Sequence, residues 1–354
     1  MGNTSLVVLL PVKRLQSCLF ADGRVVGIGV DLTDMSTISA AKGVGKRAMG
    51  YRLKDNEGFS KGIKRTVLEQ VDKALDNLKP NVRSKDEGIH DARVSVKKIR
   101  AALRLIRDSL GENTFDAEDT AYRDISRKLS KVRDSAAMLE VIDKLIDHFS
   151  DQLSPDAFAS IRKPLRQSKA KRQQDRNQAM AKAAKSLRKA RKRVADWPKP
   201  GHRQSLESGL KRVFQSGRDN FASAYDHPAI ETFHEWRKEV KHLLYQSRIL
   251  RPLWRNMMEA FTSELKSLGK YLSEDHDLAI LREKISDQLD DSEDRADIEA
   301  LVALIDQRRN ELQLMAKVLG TRIYAEKPRA FADRSETYWQ AWRTEVKDNP
   351  ILLG

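Results

Sequence analysis

One cysteine, Cys18, stands in a chain of 354 residues, which excludes an intrachain disulfide and a zinc site built on cysteines. No apolar run approaches the length of a membrane-spanning helix, so membrane insertion is not expected. Aromatic residues make up only 6% and do not interleave with the basic ones, so stacking on single-stranded bases has little support. With 17 glycines and 10 prolines the chain is poor in turn formers, while charged residues reach 33%. That mixture suits long amphipathic helices and argues against a sheet-rich fold. Acids are also in deficit, 51 against 66 Lys and Arg, leaving a net charge of +15. Such an excess calls for an anionic partner: nucleic acid, an acidic membrane surface or polyphosphate. The short apolar run Leu6 to Leu10 has no Lys or Arg before it and makes a poor secretory signal. A reducing cytoplasm is the expected setting.

What the sequence does contain is a basic stripe written twice. His90, Arg93, Lys97, Arg100, Arg104 and Arg107 recur at alternating steps of three and four. Beside them run Ile89, Ala92, Val96, Ile99, Leu103, Ile106 and Leu110 in the same alternation. One residue of offset turns about 100° on an α-helix, so the pattern predicts an apolar seam edged by a row of cations. His234, Arg237, Lys241 and Arg248 repeat the positions of His90, Arg93, Lys97 and Arg104. Like charges along one face weaken a helix unless something anionic lies on them. Two such rows suit a long polyanion better than a small substrate.

Residues 1–48 are glycine-bearing and aperiodic, and are read as an extension outside the fold, either disordered or the product of an upstream start codon. From Phe59 onward the pattern is helical almost throughout. Helices are expected over about 59–79, 84–110, 116–149 and 155–195, then, after Asp196-Trp197-Pro198-Lys199-Pro200-Gly201, over about 203–224, 229–250, 256–289, 294–318 and 331–346. In Leu129-Ser130-Lys131-Val132-Arg133-Asp134 the Arg133 lies 43 residues after His90, and in Leu272-Ser273-Glu274-Asp275-His276-Asp277 the His276 lies 42 residues after His234. Matched motifs at matched spacing predict an internal duplication: an all-α fold of two tandem four-helix bundles with long helices, one over 49–197 and one over 202–346.

The elements Ile89-His90-Asp91-Ala92-Arg93-Val94-Ser95-Val96-Lys97-Lys98-Ile99-Arg100 and Phe233-His234-Glu235-Trp236-Arg237-Lys238-Glu239-Val240-Lys241-His242-Leu243-Leu244-Tyr245 resemble the two signature helices of the CHAD family, a helical domain marked by its histidines. The Arg133-Asp134 and His276-Asp277 elements are similar to the family's next motif in each half, and Tyr51-Arg52-Leu53 to its opening. The likeness covers residues 49–346; it departs where Leu244 replaces the cation that Arg100 supplies in the first half. What the resemblance implies is non-catalytic binding of inorganic polyphosphate, with association with polyphosphate granules. The Glu-x-Glu-x-Lys element of the triphosphatase domain to which some members are fused does not occur, so the chain is read as the binding module alone, without cofactor or metal.

The candidate ligand residues are His90, Arg93, Lys97, Lys98, Arg100, Arg104 and Arg133 in the first half, and His234, Arg237, Lys238, Lys241, His242 and Arg248 in the second. His90 and His234 have a second reading as hydrogen-bonded residues beside the seam, and Asp134 and Asp277 as ion-pair partners that orient the cations. Residues 161–193 carry fourteen Lys or Arg against one acid, Asp175. Arg162, Arg166, Lys169 and Arg172, with Arg107, are further candidates for a phosphate track. The alternative function is general polyanion or nucleic-acid binding. An enzyme is the weakest reading, because the stripes lack clustered carboxylates and the chain lacks a Gly-x-x-x-x-Gly-Lys loop.

Overall fold

Every residue of the apolar seam is buried in the computed structural model: Ile89, Ala92, Val96, Ile99, Leu103, Ile106 and Leu110. The structure describes residues 50–79, 84–130, 134–170, 173–198, 202–286 and 295–348; the extension expected over residues 1–48 lies outside them. Among the described residues there are twelve α-helices and no strand. They are α1 (Phe59–Asn77), α2 (Lys85–Leu105), α3 (Arg107–Leu110), α4 (Glu112–Ser130), α5 (Asp134–His148), α6 (Ala159–Ala170), α7 (Gln173–Ala195), α8 (His202–Asp226), α9 (Ile230–Ile249), α10 (Arg255–Ser286), α11 (Arg295–Ile323) and α12 (Pro328–Asp348).

Local chemistry sets the ends of α2, which carries the first stripe. The Ser84 side chain accepts from the Glu87 N–H (3.3 Å), and Asp86 and Glu87 place negative charge at the positive end of the helix. After the short α3, Gly111 adopts φ 77°, a left-handed conformation open to glycine, and turns the chain into α4. In α9 the Thr232 hydroxyl accepts from the Ala229 N–H (3.0 Å) and closes the first turn.

Helices α1, α2, α4 and α7 pack in a ring, while α8 packs on α9 and α12, and α10 on α9 and α11. Helix α2 has partners on both sides, because it also packs against α8 and α9. Ala101, Ala102 and Leu105 are therefore buried as well as the seam. Gly209 of α8 sits so close to the Leu105 carbonyl that a Cβ there would strike it. One hydrophobic core consequently runs through both halves, from Leu53 and Val67 to Trp236, Phe331 and Trp342.

Within the spans expected as single helices over 116–149 and 155–195, α4 and α5, and likewise α6 and α7, have different packing partners. Helices α4 and α7 join the ring with α1 and α2, whereas α5 packs on α6, α10 and α11. Ile142, Leu145, Ile146 and Phe149 build a second core with Leu278, Leu281, Ile298, Leu301 and Ile305. A 3.6-residue period shows that a face is buried but not which partner buries it.

Candidate functional site in the cleft between α2 and α9

The two stripes meet. Lys97 of α2 lies in the field of Arg93 on its own helix and of Arg237 and Lys241 on α9. Burial, and then these three cations, push its ammonium down to about 7. Lys241 is lowered to about 8 by burial, then Arg237 and Arg248; Lys98 reaches about 8 through burial, then Lys73 and Arg248. The cations thus form one coupled series, and Asp277 of α10 is the acid that faces Lys97, Arg237 and Lys241.

Helix α10 packs on α9 and meets two of its cations. The Arg237 Nε donates to Ser273 Oγ (3.1 Å), which in turn donates to the Gly269 carbonyl. The Lys241 side chain lies across Gly269: a Cβ there would be 3.0 Å from Nζ and 3.4 Å from Cε. The His234 and His276 rings lie 4.3 Å apart, and each keeps a buried Nδ1 without a hydrogen-bond partner. Burial and the neighbouring Arg237 lower both, His276 to about 3, so both rings are neutral at pH 7. At the edge, Lys98 Nζ stands 5.0 Å over the Tyr51 ring and the Arg248 guanidinium 5.6 Å over Tyr245. These aromatic faces hold the cations in place without neutralising them.

Not every expected cation reaches this cleft. Arg100 and Arg104 both close on Asp119 of α4, at 2.9 and 2.7 Å. Burial pushes the Asp119 carboxyl up, but the hydrogen bonds from the two guanidiniums outweigh it and hold it well below the usual carboxylate range. Arg107 stacks on Phe115 (4.7 Å) and reaches Glu112, and Lys238 pairs with Glu235. His242 turns inward, buried against Glu239 (3.4 Å), and Leu244 is buried too. His90 is exposed near the start of α2. Arg162 is paired with Asp143 (2.6 Å) and donates to the Pro155 carbonyl, and Arg166 is exposed on α6. Arg133 and Arg172, and the side chains of Lys169 and Asp134, lie outside the described residues. Sequence reasoning passed over Ser273, His276, Gly269, Tyr51 and Lys73 as site residues; the signal for the first two was the repeated Leu-Ser motif.

The profile of the CHAD domain matches residues 65–286, more than half of the chain, and takes in α2, α9 and the cleft between them. The chain belongs to the CHAD family. The fold is similar to that titled crystal structure of the CHAD domain from the plant Ricinus communis, at 15% identity and a TM-score of 0.57 over 78% of this chain and 96% of that one. It is also similar to PptA from Streptomyces chartreusis, at 16% identity and a TM-score of 0.54 over 75% and 99%. At these identities the likeness concerns the fold. No curated protein sequence matches the chain. Among the described residues of this CHAD protein, no helix is long and apolar enough to cross a membrane.

Proposed function

We propose that the cleft between α2 and α9 binds inorganic polyphosphate without chemistry on it, and that the protein associates with polyphosphate granules. The observation that supports this is the convergence of Arg93, Lys97, Arg237 and Lys241 from two helices, close enough to drive Lys97 toward its neutral form. Half-buried like charges are unfavourable when the cleft is empty, and a polyanion relieves them. Polyphosphate carries about one negative charge per phosphate and offers neither base nor sugar, so affinity rests on charge neutralisation and counterion release. Membership of the CHAD family supports the same ligand class. The ligand set narrows to Arg93, Lys97, Lys98, Arg237, Lys241 and Arg248, with His234 and His276 beside it.

A second reading, general polyanion or nucleic-acid binding, draws on a different surface. Lys182, Lys185, Arg188, Lys189 and Lys192 are exposed along α7. Titration of the protein with long-chain polyphosphate and with DNA of equal charge decides between them. Tighter polyphosphate binding at about 0.15 M salt, reduced at least about tenfold by combined Arg93→Ala, Lys97→Ala, Arg237→Ala and Lys241→Ala, supports the cleft. Equal affinity for both polymers, unaffected by those substitutions, makes α7 the site and nucleic acid the leading ligand.

A further inference from the structure

The short segment before α1 lies at the C-terminal end of α9 and is bonded to both stripe helices. Leu53, buried, donates its N–H to the Ile249 carbonyl of α9 (3.0 Å). The Tyr51 hydroxyl donates to the Lys98 carbonyl of α2 (2.7 Å), and its ring meets the Tyr245 ring of α9 edge to face, with 6.3 Å between centroids. Between these two anchors the Arg52 carbonyl accepts from Arg65 of α1 (2.8 Å). A cation stands over each ring, Lys98 over Tyr51 (5.0 Å) and Arg248 over Tyr245 (5.6 Å). The ring pair thus joins a cation of α2 to a cation of α9, and both cations are half-buried. Arg248 lies in the field of Lys98 and of Lys241, while Lys73 and Asp91 also face Lys98. Along α9 the row has a gap at the buried Leu244, and Arg248 stands two turns, about 10 Å, beyond Lys241 on the same face. The first half ends otherwise, with Arg100 and Arg104 closed on Asp119.

We propose that Tyr51 sets the chain-length preference of the cleft, by positioning Lys98 and Arg248 as an outer subsite that only long polyphosphate reaches. The proposal rests on the cleft being a polyphosphate site. At about one charge per phosphate, the inner cations Arg93, Lys97, Arg237 and Lys241 suffice for a ligand of three linked phosphates. A longer chain has phosphates to spare. Past Arg100 and Arg104 it meets charge already answered by Asp119. At Lys98 and Arg248 it meets cations whose place is fixed by aromatic faces, which do not neutralise them. Tyr51 is a positioning residue here, acting through Lys98 and, by way of Tyr245, through Arg248. Without its ring the Lys98 side chain regains rotamers, and ordering them again on binding lowers affinity for whatever reaches the outer subsite.

The test titrates the intact protein and its variants with tripolyphosphate and with long-chain polyphosphate, at pH 7 and about 0.15 M salt. The readout is the ratio of the two affinities, because a general loss of structure lowers both together. Combined Lys98→Ala and Arg248→Ala is expected to lower the preference for the long chain by about tenfold or more. Tyr51→Leu alone is expected to lower it by about threefold or more, and no further once Lys98 and Arg248 are replaced. Tyr51→Phe keeps the ring and is expected to hold the ratio within about twofold of the native one. Where Tyr51→Leu does not fold, Tyr51→Met fills the space without a ring and repeats the comparison. An unchanged ratio in the ringless variant or in the double variant overturns the proposal. So does a further fall when the ringless substitution is added to the double variant. Failure of the native protein to bind either ligand sinks the proposed function and the outer subsite with it, whereas binding of both with an unaltered ratio sinks the outer subsite alone.

Discussion

Lys97 and Asp119 mark the two fates of the cations on α2, and the difference between them is measurable. The Lys97 ammonium sits at about 7 in the empty cleft, through burial and then Arg237, Arg93 and Lys241. A bound polyanion restores it toward the ordinary lysine value of about 10.4, so binding takes up a proton between those limits. Polyphosphate affinity is therefore expected to rise as pH falls from about 10 to about 7, by up to about tenfold per unit for each proton taken up, and then to level off. Calorimetry in buffers of different ionisation enthalpy reads that uptake directly; zero uptake at pH 8 contradicts the coupling. The same shift has a sign for stability. A lysine lowered in the folded state costs most below its folded pKa, and the cost vanishes above its unfolded one. Lys97→Met is thus expected to raise the Tm of the unliganded protein at pH 6, with the gain fading toward pH 10, while weakening polyphosphate binding. Arg104 behaves oppositely, since it is committed to Asp119 at 2.7 Å. Arg104→Ala is expected to lower stability by about 1–3 kcal/mol in denaturant titration, and to change polyphosphate affinity far less than Arg237→Ala does.

At the scale of the helices, two glycines set the spacings on which the cleft depends. Gly209 of α8 lies against the backbone carbonyl of Leu105, where nothing flexible can yield. Gly209→Ala is expected to push α8 from α2 and cost about 1–3 kcal/mol or more, read as a lower denaturant midpoint. Gly269 of α10 meets the mobile end of Lys241 instead. Gly269→Ala gains up to about 1 kcal/mol of helix propensity and displaces the Lys241 ammonium. Stability is expected to hold or rise while polyphosphate affinity falls; a fall in both would mean that α10 itself has moved.

Across the whole molecule, the continuity of the core matters more than the Pro-rich segment between the halves. Leu105 and Leu206, Val96 and Trp236 belong to one buried cluster, and the Gln246 amide donates to the Ala101 carbonyl (3.1 Å) between α9 and α2. Helices α5 and α6 close a second core on α10 and α11. A fragment ending at residue 197 would expose both surfaces. Scanning calorimetry of the full chain is accordingly expected to show residues 49–348 unfolding in one transition; two separated transitions would mean that the halves are independent.

The all-α class, most helix limits in the second half and the burial of the seam from Ile89 to Leu110 were determined by the sequence, because a 3.6-residue period of apolar side chains has one economical solution in water. So was the identity of the basic stripes. Only the tertiary structure decided how each stripe is spent. Asp119 stands on another helix, 15 residues after Arg104, and no local pattern shows that its carboxylate turns back to claim two arginines of the row. Nor does periodicity reveal that Gly269 and Ser273 lie against Lys241 and Arg237, or that α5 packs on α10 and not in the first ring. A helix's own repeat specifies which face seeks cover. Charge balance and close approach are settled between helices, where residues far apart in the chain come within reach of one another.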